Sequence, residues 1–111
     1  MERHELEVYS STSNYAIIKP PGRSFPGCVI QGDSLSALCN LARNIRVAIA
    51  GLQLENRELL ENAEDLSNAL IDRLLHYQNV LKAHDISLPY SRVFTDVDLV
   101  KESFDEEEQS T

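Results

Sequence analysis

Phe25-Pro26-Gly27-Cys28-Val29-Ile30-Gln31-Gly32-Asp33-Ser34-Leu35 is where the chain changes its periodicity. Cys28 to Gln31 is a short apolar run bracketed by two glycines, the pattern of a brief strand. Gly27 is read as the residue that lets the chain turn after Pro26. Gly32 is read as the corner where the strand gives way to a helix, taking a left-handed or extended conformation there. Asp33 or Ser34 then supplies a short side-chain oxygen suited to an N-cap. Behind the cap, Leu35, Leu38, Leu41, Ala42, Ile45, Ala48 and Ile49 recur at helical spacing, with Asn40, Arg43, Asn44 and Arg46 mostly on the other side. Gly51 is the predicted stop.

Two more strands are predicted upstream. Glu5-Leu6-Glu7-Val8-Tyr9 alternates polar and apolar, Ser10 to Asn14 is a polar turn, and Tyr15-Ala16-Ile17-Ile18 follows as an antiparallel neighbour. Pro20-Pro21-Gly22 ends that strand, because proline cannot donate to a ladder. Residues 5–50 therefore read as β-β-β-α, and the fold class as α+β with a small antiparallel three-stranded sheet.

Downstream, residues 55–84 predict a long amphipathic helix. Its stripe runs through Leu59, Ala63, Leu66, Leu70, Leu74, Tyr77 and Leu81, widened by Leu60, Ile71, Leu75 and Val80. About 30 residues at 1.5 Å each span about 45 Å, whereas a 100-residue domain has a radius of gyration of about 13 Å. Such a helix overhangs its sheet, breaks near Asn62–Asp65, or packs on another chain. The last option is the expectation, with Leu59, Leu66, Leu70, Leu74, Tyr77 and Leu81 as the seam of a homodimer. Pro89, in Ile86-Ser87-Leu88-Pro89-Tyr90, prevents a return to helix. Residues 1–90 thus read as one domain and 91–111 as an acidic, flexible tail, in which Phe94 and Phe104 are candidate anchors for a partner.

Length and composition agree with one small domain. The chain has 111 residues and 42% hydrophobic residues, enough for one core. No apolar run reaches the roughly 18 residues of a membrane span, and the charged start Met1-Glu2-Arg3-His4-Glu5 leads into no signal-peptide pattern. The expectation is a cytoplasmic protein without a membrane role. The net charge of −8 is uneven: residues 1–53 carry four acids and five bases, residues 54–111 fourteen acids and five bases. An acidic half repels phosphate backbones, against direct nucleic-acid binding, and suits a basic protein partner, or simply solubility.

Constellations for catalysis are missing from the pattern. Gly22, Gly27 and Gly32 have no adjoining lysine to make a phosphate loop. His76 and His84 are two helical turns apart, too far to share a metal. Cys28 and Cys39 have no zinc spacing and read as reduced thiols packed like small hydrophobes. Asp72 with His76, and Glu61 with Asp65, are ordinary helix-surface neighbours. The chain is expected to be no enzyme, with no cofactor and no metal.

The stretch from Phe25 to Leu35, with the helix behind it and two strands before it, resembles the core motif of the HicB-like antitoxin superfamily over residues 5–50. The whole chain also resembles a small bacterial family that ends in a leucine-rich helix and an Ile-x-Leu-Pro-Tyr segment. The HicB resemblance implies a protein that neutralises a small basic RNA-cleaving toxin by covering it. Many HicB-type proteins add a C-terminal DNA-binding module; here no basic ribbon or helix-turn-helix pattern follows. The function expected from residues and resemblance together is an antitoxin- or immunity-like inhibitor of a basic toxin or nuclease, with Glu58, Glu61, Glu64 and Asp65 supplying complementary charge. The alternatives are an assembly module and a regulatory accessory of a larger enzyme.

Overall fold

The computed structural model describes residues 1–101. Three strands, β1 (Glu7–Ser10), β2 (Ile17–Lys19) and β3 (Gly27–Cys28), are followed by two helices, α1 (Gly32–Leu52) and α2 (Arg57–Ala83). The sheet is antiparallel in the order β1-β2-β3. The architecture is α+β, as the sequence pattern predicts.

Turn chemistry sets the strand ends. Arg23 N–H donates to Pro20 C=O across Pro21-Gly22, and Gly22 has φ +79°. That conformation is the third position of a type II turn, where the positive φ favours glycine. In the first hairpin Glu7 faces Lys19 and Val8 faces Ile18, after which the register slips at Tyr9 so that Ser10 faces Ile17. The pairing of opposite charges and of β-branched residues suits the sheet. Tyr15 falls in a 3₁₀ turn (Ser13–Tyr15), and of the expected third strand only Cys28 remains in β3, joined by Gly27, with Val29 N–H still donating to Ala16 C=O.

The corner after β3 corrects two expectations. Helix α1 begins at Gly32 with Gln31 as its N-cap, so Asp33 and Ser34 lie inside the first turn; the Asp33 carboxylate accepts from the Ser34 N–H. Gly32 is needed for closeness, not for a special φ: a Cβ there would lie 2.2 Å from the Tyr77 ring of α2. A Cβ added at Gly27 would meet no atom within 4 Å, and Gly27 has no positive φ, so nothing in its surroundings demands glycine. At the far end the left-handed residue is Gln53 rather than Gly51, which stays helical.

Helix α2 is unbroken over 27 residues, about 40 Å. Asn56 caps it by accepting from the Leu59 N–H at 3.0 Å. It stops when Asp85 turns left-handed, with Ile86 N–H donating to Leu81 C=O, the double-bonded helix end that a short polar side chain tolerates. Between Gln53 and Asn56 the chain reverses, laying α2 back along α1.

The core lies between these helices, and the sheet adds nothing to it. Its buried apolar members are Leu35, Cys39, Ala42, Ile71, Leu74 and Phe94. Leu70, Leu75, Tyr77, Tyr90 and Leu99 close around them. Of the expected seam, Leu74 is fully buried and Leu70 and Tyr77 pack against the core of the same chain, whereas Leu59 and Leu66 stay exposed. The segment after α2 is the larger correction. Residues 91–100, expected as a free tail, run back over the helices, and Phe94 is 1% exposed at the centre of the core. Cys39 is buried as expected, whereas Cys28 is exposed.

Candidate functional site: a helical groove and its strap

Two polar side chains on the inward face of α2 organise the molecule's most specific contacts. Ser67, Ile71, Leu74 and Gln78 recur at helical spacing on that face, so Gln78 is carried into the core by its neighbours. There its amide grips one residue twice: the Nε2 donates to Phe94 C=O at 2.8 Å, and the Oε1 accepts from Phe94 N–H at 3.1 Å. The same Oε1 accepts from the Tyr90 hydroxyl at 3.1 Å. Ten residues earlier Asn68 repeats the arrangement on Val100, donating to its C=O and accepting from its N–H, both at 2.8 Å. A buried amide without partners is costly, and here every one of these backbone and side-chain groups is satisfied.

Between the two clamps the strap is pinned by its own chemistry. The Phe94 ring fills the core, and the Arg92 guanidinium lies over it at 4.0 Å from the centroid, a favourable cation–π geometry. Arg92 also donates to Asn40 of α1 at 3.0 Å and to Asp98 at 3.1 Å. Asp98 approaches Arg43 of α1 at 3.6 Å and accepts from Thr95 N–H at 3.0 Å, closing a short 3₁₀ turn. Burial pushes the Tyr90 hydroxyl up to about 12, with Tyr77 and Cys39 adding to the effect. Burial likewise raises the Cys39 thiol, against a smaller opposing pull from Arg92, so it stays a neutral, unreactive packing group.

The expected partner residues are scattered by this arrangement. Glu58, Glu61 and Asp65 share one exposed stripe of α2, where Arg57 pairs with Glu61 at 3.3 Å; Glu64 is half-buried and off that stripe. Leu59 and Leu66 are exposed and Leu81 half-buried. Phe94, expected as a partner anchor, is a core residue of its own chain, because Gln78 and Arg92 draw it inward. Phe104 lies outside the described residues. Gln78 and Asn68 escaped the sequence reading; the available signal was a glutamine at helical spacing from Ile71 and Leu74 on the inward face of α2.

The exposed surface is unusually apolar elsewhere. On α1, Leu38, Leu41, Ile45 and Leu52 form an outward stripe, and Leu41 and Ile45 are 59% and 55% exposed. On β1, Val8 and Tyr9 are exposed too, as are Phe25, Val29 and Ile30 in the loops flanking β3. Among the described residues no cluster of three His, Cys, Asp or Glu side chains could hold a metal ion, and no helix is long and apolar enough to cross a membrane.

Residues 1–90 match the family of unknown function DUF6959. The chain belongs to that family. No curated protein and no solved structure matches it. The match takes in the sheet, both helices and the two clamping amides, and ends at Tyr90, where the strap begins.

Proposed function

We propose that this DUF6959 protein is a non-catalytic binding module that covers a protein partner. The observation that carries the proposal is the outward stripe Leu38-Leu41-Ile45-Leu52 on α1, unpartnered within the chain. Contiguous apolar surface on a small domain marks an interaction face. The acids Glu58, Glu61 and Asp65 on the neighbouring helix, in a chain of net charge −8, favour a basic partner through steering. The order β-β-β-α with the Phe25–Leu35 motif supports the finer reading, a HicB-like antitoxin or immunity protein acting in the cytoplasm on a basic toxin or nuclease.

The test is capture and kinetics. Immobilised protein is expected to retain a small basic protein from its native lysate, and Leu41→Glu/Ile45→Glu to abolish retention. Neutralising Glu58, Glu61, Glu64 and Asp65 lowers the association rate more than it raises dissociation, since rim charges act on encounter. An acidic partner, or an association rate indifferent to salt, overturns the steering argument.

A second reading, homo-assembly, has its own observation. From Ser34 to Leu52 no fully exposed residue of α1 is charged; Arg43 and Arg46 are half-buried. A two-fold interface sets each patch against itself, which a neutral apolar helix allows and the acidic face of α2 does not. Light scattering of wild type and Leu41→Asp separates the two: a dimer lost in the variant selects assembly.

A further inference from the structure

The strap is held as a bound peptide is held. Its two strongest attachments, at Phe94 and Val100, are made by side-chain amides to backbone N–H and C=O. Such bonds are blind to the side chain of the residue they grip. Selectivity comes from what sits between: an apolar socket for an aromatic ring, walled by Leu35, Cys39, Ile71 and Leu74, and Arg43 facing the carboxylate of Asp98 four residues on. Backbone bonds for affinity and spaced pockets for specificity are the division of labour in peptide-recognition grooves.

Two further observations separate the groove from its occupant. The clamps and the socket walls lie inside residues 1–90, the span of the family match, whereas Arg92 to Val100 lie outside it. On the α2 side, the Phe94 socket also borders an open cleft of about 370 Å³, lined by Gln78, Asn79 and Lys82 of α2 and by Ile86, Leu88 and Val93.

We propose that the groove between α1 and α2 is a binding site for an extended peptide segment of a partner protein, and that residues 92–100 are its built-in competitor. The segment recognised has an aromatic anchor and an acid four residues later, the pattern of Phe94 and Asp98, with its backbone two residues further on gripped as Val100 is. This site is separate from the outward face of α1, so the two proposals stand or fall independently. In the free protein the strap satisfies the clamps; a partner segment enters from the open cleft and replaces it.

The probe is a fluorescent peptide of residues 90–101, titrated by anisotropy against the full chain. Phe94→Leu weakens the internal competitor while keeping the core filled, and Phe94→Ala empties the socket. The peptide is expected to bind Phe94→Leu at least tenfold more tightly than wild type, and Phe94→Ala more tightly again where circular dichroism shows that variant helical. A peptide carrying Ala for its Phe is expected to bind none of them. Failure of the peptide to bind a helical Phe94→Leu overturns the proposal, as does equal binding to variant and wild type. A wild-type dimer that the peptide dissociates would show that the occupant is a second copy's strap, and would overturn the choice of a foreign partner.

Discussion

The sheet and the helical hairpin are built on opposite terms. Residues 7–28 hold three short strands in which Val8 and Tyr9 stay exposed and Ile17 and Ile18 are half-buried, and no strand residue is buried. Among the described residues the buried side chains all lie between Leu35 and Phe94, where the Gln78 and Asn68 amides pair with strap backbone while the Ser67 hydroxyl does not find a partner. A strand held mainly by ladder bonds and a turn is marginal alone, so the hairpin and strap supply the stability and the sheet is a surface displayed on them. One small chain thus separates the residues that keep it folded from most of the apolar residues it leaves exposed.

The sharpest way to break that comparison is to make one substitution on each side of α1 and α2. Leu74→Ala removes a fully buried side chain and is expected to cost about 2–5 kcal/mol of stability. Leu41→Ala removes an exposed one, and its cost is expected to stay under about 0.5 kcal/mol in the monomer. Urea unfolding measures both; equal costs would mean that α1's outer stripe is covered in solution. Next in size is Gln78→Ala. It leaves the Phe94 N–H and C=O and the Tyr90 hydroxyl unpaired, for about 1–3 kcal/mol. Hydrogen exchange at the Phe94 amide should accelerate far more than at any amide of β1 or β2.

Alkali sharpens the comparison without mutation. Tyr90 is held neutral in the folded chain up to about 12, whereas in the unfolded chain a tyrosine ionises near 10. Between those values the unfolded state binds fewer protons than the native one, so stability falls as pH rises. The contribution is fully present below about pH 10 and lost through about pH 12, and the strap should open first. Tyr90→Phe is expected to flatten that limb of the pH profile in thermal unfolding. The smallest effect has the opposite sign. The Ser67 hydroxyl is fully buried with no hydrogen-bond partner among the described residues, so Ser67→Ala is expected to leave stability unchanged or raise it by up to about 1 kcal/mol.

Much of this fold is legible in the chain. The change of period at Gly27–Leu35 announces the sheet and α1, and the leucine spacing from Leu59 to Leu81 announces α2. What the pattern does not announce is which apolar face turns inward. Leu38 and Leu41 share a helix with Leu35 and Ala42 at spacings that all read as one stripe, yet the second pair is buried and the first is not. The choice depends on where α2 lands, and that is set by a glycine opposite a tyrosine, Gly32 against Tyr77. Phe94 reads as a tail residue because acids surround it. Its burial rests on Gln78, sixteen residues away, and on Arg92, whose charge turns an acidic neighbour into a partner. Of the candidate site, the acid stripe on α2 was visible from spacing, while the two amide clamps are polar residues on a helix until a strap arrives to use them.

The strap also imposes an order of events on folding. The two helices meet through a turn at Gln53–Asn56 and find each other locally. The strap's bonds reach back 16 residues to Gln78, 32 to Asn68 and 52 to Asn40. Contacts between distant residues form late, since the loop they close must be ordered first. In that order of events the helices would pair first, leaving the socket for Phe94 empty and the amides of Gln78 and Asn68 facing water until the strap arrives. If the groove takes a partner segment as proposed above, a partner made at the same time and place would meet it with nothing to displace and so have a kinetic advantage over one that arrives later.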